Sequence, residues 1–142
     1  MVNQITVFIE NKPGRLMEIF KALAKNNIDI KAFSLADTTE FGVARMIVSD
    51  VETAKKAIAE EGVIVRSCSI LTVAVPDEPG ALMSALEILK ANGVAIEYMY
   101  AFAEKLDGAS VIAIRTDDQE KAHKALKDGG IKVLDKEDIE RL

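Results

Sequence analysis

A short turn of one design occurs twice in this chain, and both times it follows an apolar strand pattern. Asn11-Lys12-Pro13-Gly14-Arg15-Leu16 is the first copy and Asp77-Glu78-Pro79-Gly80-Ala81-Leu82 the second, an offset of 66 residues (79 − 13). The offset persists outside the turns. Ile5, Val7 and Ile9 map onto Leu71, Val73 and Val75; Leu16, Ile19, Phe20 and Leu23 onto Leu82, Ala85, Leu86 and Leu89; Ile28 and Ile30 onto Val94 and Ile96; Gly42 onto Gly108. A period of this length is too long for a solenoid repeat and suits a small domain. Two halves of roughly 70 residues would each bury a modest core and gain from packing on a twin or on another chain.

The pattern within each half is strand-helix-strand-strand-helix-strand. Ile5, Val7 and Ile9 recur at strand period 2, and Leu16, Ile19, Phe20 and Leu23 at helical spacing up to an Asn26-Asn27 stop. Strands are expected at about 28–36 and 43–48, separated by a polar turn at Asp37–Phe41. A helix over Val51–Glu60 begins after the capping pair Ser49-Asp50, and a strand starts at Val63. The second half repeats this order with helices at about 80–91 and 119–127 and ends in a charged tail of about one helical turn. Nothing in composition separates Val63–Ser67 from Ile70–Val75, so a nearly continuous strand should join the halves and hold them side by side. The expected class is α+β: two tandem ferredoxin-like βαββαβ domains, 1–68 and 69–142, each an antiparallel sheet with helices on one face.

The turn has its own chemistry. A helix N-terminus offers unpaired N–H groups and a partial positive charge, and so receives a carboxylate. Proline presets the first helical turn, and glycine allows close approach because it lacks a Cβ. Asn11 or Asp77 either caps its helix or turns toward a ligand's ammonium group. The copies differ in charge: Asn11 sits beside Lys12 and Arg15, whereas Asp77 has Glu78 beside it and Ala81 in place of Arg15. A carboxylate should therefore prefer the first turn.

Both halves resemble the ACT-domain family, specifically the small proteins made of two ACT domains. The motif is an apolar strand, Asn/Asp-x-Pro-Gly-x-Leu, an amphipathic helix, and a strand after an Asn/Gly stop. It is met by Asn11-x-Pro13-Gly14-x-Leu16 with Asn27-Ile28, and by Asp77-x-Pro79-Gly80-x-Leu82 with Gly93-Val94. The resemblance implies a non-catalytic regulatory protein that binds an amino acid at domain or subunit interfaces, as a homodimer, with a regulated enzyme or regulator as possible partner. The rival reading is a detached regulatory subunit that acts through protein contacts and needs no ligand. The implied ligand-binding residues are Asn11, Lys12, Pro13, Gly14, Arg15 and Leu16, the equivalent Asp77, Pro79, Gly80, Ala81 and Leu82, and Ser34, Tyr98 and Tyr100 on the following strands.

Tyr98, Tyr100 and Phe102 share one strand face, and their first-half equivalents are Ala32, Ser34 and Ala36. They either pack in a core or against a partner sheet, or wall a pocket in which a hydroxyl orients a polar ligand. Val43 and Ile47 on one side of a strand, with Met46 and Val48 on the other, leave apolar surface for a second copy to cover.

Several function classes are disfavoured. The formal net charge is −5 with no basic stripe, which argues against nucleic acid. No apolar stretch is long enough to span a bilayer. No nucleophile-base pair, metal-ligand cluster or phosphate loop is visible, so no catalytic residue, metal or cofactor is expected. The single cysteine, Cys68, and the absence of a secretory signal pattern suggest a reducing cytoplasm. Cys68 itself reads as a small packed hydrophobe.

Overall fold

The computed structural model describes residues 1–37 and 40–142. Thr38 and Thr39, inside the polar turn expected at Asp37–Phe41, lie outside the described residues. The elements are β1 (Val2–Glu10), α1 (Arg15–Lys25), β2 (Ile30–Asp37), β3 (Phe41–Val48), α2 (Val51–Glu60), β4 (Ile64–Val75), α3 (Ala81–Ala91), β5 (Ile96–Ala101), β6 (Ser110–Thr116), α4 (Gln119–Asp128), β7 (Lys132–Val133) and α5 (Lys136–Glu140). The order is βαββαβ twice, and every described pairing is antiparallel. The ferredoxin-like α+β class is the class observed.

Two compact units result: Asn3–Cys68, and Ser69–Leu142 together with Met1–Val2. The chain passes from one to the other within the unbroken strand β4. In the first unit β3 lies between β1 and β2, with Ile5 opposite Met46 and Phe33 also opposite Met46 on the other side. Alternate strand residues Ile5, Val7, Ile9, Ala44, Met46 and Val48 meet Ile19 and Leu23 of α1 and Ala54 and Ile58 of α2 in one buried cluster. In the second unit β4 lies between β7 and β6, with β5 beyond β6. There Leu71, Val73, Val75, Ile112 and Ile114 meet Ala85 and Leu89 of α3 and Ala122 and Leu126 of α4. Period 2 on the strands and 3.6 on the helices select these sets, because only residues on one face can reach the opposing layer.

Helix ends follow local chemistry. The α1 terminus closes with the Ile28 amide on the Leu23 carbonyl at 3.0 Å and the Asn27 amide on Ala24 at 3.1 Å, with Asn27 at φ 55°. This is a Schellman motif in which asparagine takes the left-handed position. The α3 terminus uses Gly93 for the same bond pattern, Val94 onto Leu89 at 3.0 Å. Asp50 caps α2 by accepting the Thr53 amide at 3.1 Å, and Asp118 caps α4 by accepting the Lys121 amide at 3.0 Å. The charged tail forms the single turn α5, held by a capping box between Asp135 and Asp138.

Among the described residues three buried polar ones, Gln4, Thr72 and Thr116, escaped the pattern reading. Gln4 is fully buried on β1 and donates through Nε2 to the Cys68 thiol at 3.5 Å, so the half-buried Cys68 serves as an acceptor. Thr72 is fully buried on β4, and its hydroxyl finds no hydrogen-bond partner among the described residues. A buried hydroxyl without a partner carries its desolvation cost uncompensated. Thr72→Val keeps the shape and removes that group, so it should stabilise the protein by about 1 kcal/mol. A chemical-denaturation midpoint at or below that of wild type would contradict this.

Candidate ligand site at the Pro-Gly turns

Both turns enter their helices in the same way. The Arg15 amide reaches the Lys12 carbonyl at 3.2 Å and the Ala81 amide reaches Glu78 at 3.2 Å. Gly14 has φ 81°, ψ −5°, and Gly80 φ 83°, ψ −8°. These are type II β-turns, with proline at the second position and glycine at the third, where φ must be positive. The helices start after the glycines, which are their N-caps. Proline thus presets the turn rather than the first helical residue. The N-cap positions fall on Gly14 and Gly80, which have no side chain to cap with, and not on Asn11 or Asp77. Gly14 and Gly80 accept the amides of Glu18 and Ser84, at 3.0 and 3.4 Å. The remaining first-turn amides have no intrahelical acceptor.

A groove of about 410 Å³ opens beside the first turn, lined by Ile9, Glu10, Asn11, Lys12, Pro13, Leu16, Leu35 and Gly42. Ile9 and Gly42 face each other across the β1–β3 ladder and form its floor. Leu16 from α1 and Leu35 from β2 form its walls. Gly42 keeps the floor low: a Cβ there would come within 3.3 Å of the Leu35 Cδ1. The rim carries both signs of charge. Lys12 Nζ lies 2.7 Å from Glu10, and the Asn11 amide donates to Asp37 at 2.7 Å. The hydrogen bond and charge of Lys12 hold the Glu10 carboxyl below its usual pKa.

Arg15 is placed elsewhere. Its guanidinium bonds Glu18 at 2.7 Å and the Glu61 carbonyl at 2.9 Å, bridging α1 to the C-terminal end of α2, where a cation is favoured. Both cations of the first turn are therefore paired, and charge alone does not single out this turn. Ser34 pairs with Arg45 on the sheet face opposite Leu35 and lies outside the groove.

The second turn is not bare of cations as the sequence reading held. Lys105, from the β5–β6 connection, forms an ion pair with Asp77, and Ser110 Oγ donates to Asp77 at 3.3 Å. The Lys105 hydrogen bond and charge, then the Ser110 bond, lower the Asp77 pKa. A depressed carboxyl pKa favours the folded state above the ordinary value near 3.9, and that contribution is lost as pH falls through the lowered value. Carbon-detected NMR should find Asp77 titrating below that value, and Lys105→Ala should move it back up. An unchanged titration would show that the pair is not formed in solution.

Tyr98 and Tyr100 face Arg115 and Ala113 across the β5–β6 ladder, while Met99 and Ala101 face Ile114 and Ile112 on the helix side. The tyrosines are thus half-buried on the face turned away from α3, so within their own unit they do not wall the turn. Phe102 follows β5 and is buried. Gly42 and Gly108, equivalent by offset, also part company: Gly42 lies in β3, whereas Gly108 has φ 82° in the tight Leu106–Ala109 turn. Of the groove residues, Glu10, Ile9, Leu35 and Gly42 were not foreseen as site residues. Their signal was Gly42 at a strand start two strands from the turn, which only the pairing register connects to Ile9.

Among the described residues no cluster of histidine, cysteine, aspartate and glutamate has the makings of a metal site, and no helix is long and apolar enough to cross a membrane.

The sequence model of a family described as an ACT domain pair matches residues 1–142. A solved protein of Bacteroides thetaiotaomicron is 37% identical, covers 99% of this chain and 96% of its own, and superposes with a TM-score of 0.91. The ligand-free regulatory subunit of aspartate kinase from Thermus thermophilus is 18% identical, with 89% and 91% coverage and a TM-score of 0.63. The corresponding Thermus flavus subunit is 18% identical, with 90% and 92% coverage and a TM-score of 0.55. These two share the fold. No curated protein matches the sequence.

Proposed function

We propose, because this chain belongs to the ACT domain pair family, that it is a non-catalytic regulatory protein that senses a small molecule. The two domains are 1–68 and 69–142. The ligand is an amino acid, held at the groove beside the first turn. The observation that carries this reading is the groove itself: an apolar floor and walls beside the start of α1 at Leu16, with the Lys12–Glu10 pair and the Asn11–Asp37 bond at its rim. A zwitterion with a side chain suits that arrangement. Its carboxylate meets the helix N-terminus, its ammonium meets the acidic rim, and its side chain covers Ile9 and Leu35. Binding would favour whichever arrangement of the protein adds contacts to the ligand, and a regulated enzyme or transcriptional partner would read the change. The free thiol of Cys68 fits a reducing, cytoplasmic setting.

Thermal-shift measurement against the twenty standard amino acids tests this, since a ligand that binds only the folded state stabilises it by mass action. One or a few amino acids should raise the melting temperature in a saturable way. If none does, while a stable complex with another protein is recovered, the chain acts as a ligand-independent regulatory subunit instead.

A further inference from the structure

At the second turn the residues that rim the first-turn groove are replaced. By the 66-residue offset (79 − 13) Glu10 and Asp37 become Pro76 and Ala103, while Asn11 becomes Asp77. A carboxylate thus stands on the turn itself, and both its oxygens are engaged from within the same unit. Lys105 Nζ pairs with Oδ2, and Ser110 Oγ donates to Oδ1 at 3.3 Å. The backbone at Gly80 otherwise copies that at Gly14. Lys105 sits on a firm support. The Leu106 amide donates to the Ala109 carbonyl at 3.0 Å, and the Ala109 amide donates back to Leu106 at 2.9 Å. Between them Asp107 has φ 50° and Gly108 φ 82°, the two positive values of a type I′ hairpin, for which Asp-Gly is a preferred sequence. Leu106 and Phe102 are buried, whereas their repeat equivalents Glu40 and Ala36 are exposed. Arg141 at the end of α5 donates through Nη2 to both carboxylate oxygens of Asp107, at 3.2 and 3.1 Å, and Ile139 of α5 is buried. The C-terminal turn therefore clamps the hairpin that carries Lys105.

We infer, on the reading of the Pro-Gly turn as an amino-acid site, that the Lys105 ammonium stands at Asp77 where the ammonium of an amino acid would otherwise bind. The chain fills its own second turn and leaves the first to take ligand. An exposed ion pair between two freely moving side chains is weak, largely because holding both in one geometry costs entropy. Here the hairpin and the Arg141 clamp have already fixed the backbone of Lys105, so less ordering remains to oppose the contact. A tethered ammonium also competes at an effective concentration of roughly millimolar, and a free amino acid must displace it. The first turn is built the other way. Asp37 accepts from the Asn11 amide at 2.7 Å, and a neutral donor does not cancel the charge that attracts an incoming ammonium. The exchange of Asn11 for Asp77 and of Asp37 for Ala103 thus turns a rim that receives a cation into one that carries its own.

Carbon-detected NMR of the Asp77 carboxyl in the full chain tests this, with each of the twenty standard amino acids as probe at constant ionic strength. Lys105→Met keeps the length of the side chain and removes its charge, and at 57% side-chain exposure it should fold as wild type does. At least one amino acid should then move the Asp77 signal saturably. Its half-saturating concentration should be at least about fivefold lower than in wild type, because apparent affinity scales with the fraction of chains whose site is open. Lys105→Arg restores the cation and should behave as wild type. The matching acid without an amino group should leave the Asp77 signal of Lys105→Met unmoved. An amino acid that moves Asp77 equally in wild type and Lys105→Met, a Lys105→Arg as open as Lys105→Met, or a Lys105→Met whose Asp77 responds to no amino acid would each overturn the inference. A saturable response at Asp77 in Lys105→Met, in a chain whose first turn binds no amino acid, would instead sink the proposed site at the first turn and leave the role of Lys105 standing.

Discussion

Leu23→Ala and Leu89→Ala should each cost about 2–5 kcal/mol of folding free energy, among the largest effects available in this chain. The two positions are repeat equivalents, and both are 1% exposed. Each lies at the centre of its own cluster, Leu23 among Ile5, Ile19, Met46 and Ile58, and Leu89 among Leu71, Ala85, Ile114 and Leu126. Each also offers its carbonyl to the bond that closes its helix, at 3.0 Å. Alanine keeps that carbonyl, so the loss isolates the side chain's packing and the cavity it leaves. Units of this size bury a modest fraction of their surface, and such a loss is a large share of the stability of a small domain. Chemical denaturation should show the midpoint lowered in both variants with the slope unchanged. A cost below 1 kcal/mol at either site would mean that the core there collapses onto the gap. Markedly unequal costs would mean that the repeat in sequence is not a repeat in energy.

Gly14→Val and Gly80→Val should separate stability from binding. A Cβ at either glycine meets nothing within 4 Å, so neither variant clashes in the unliganded protein. The cost comes from φ, at 81° and 83°, because a β-branched residue resists the left-handed region. That cost is at least about 1–2 kcal/mol and should be alike at the two turns. Affinity should not be alike. Gly14 lies between Pro13 and Leu16, which line the groove, and a branched side chain there stands where a carboxylate must approach the α1 amides. Gly14→Val should therefore weaken amino-acid binding at least about tenfold beyond any effect of Gly80→Val. Calorimetry on the two variants, at a temperature where both are folded, decides it. Equal affinity losses would refute the asymmetry between the turns.

Much of this molecule was legible before its structure. The βαββαβ order, the helix ends at Asn27 and Gly93, the cap at Asp50, and the unbroken passage through β4 all follow from residues within a few positions of one another. The start of α3, expected at about residue 80, falls at Ala81, because Pro-Gly reads equally as a first helical turn and as a type II turn. The difference lies in the φ of Gly80, which composition does not reveal. The charge contrast between the turns misled for a different reason. Arg15 and Lys12 were counted as available cations, and Asp77 as lacking one. Long side chains find partners distant in sequence, however: Arg15 at Glu61 and Lys105 at Asp77.

The sequence by itself determined the family, the repeat, the element order and the side of each element that is buried. These depend on periodicity and on backbone chemistry that acts locally, and each half repeats the signal. Only the tertiary structure decided what stands beside the turns. The groove needs Ile9, Leu35 and Gly42, three residues on three strands, and their meeting depends on the β1–β3 and β3–β2 registers. In the second unit the β5–β6 register turns Tyr98 and Tyr100 away from α3, and Gly108 falls in a turn while Gly42 floors a groove. Register is set by the summed fit of whole strand faces against the helices. A shift of one residue would exchange every buried side chain for an exposed one, so the contents of a site assembled across strands are a property of the packed whole.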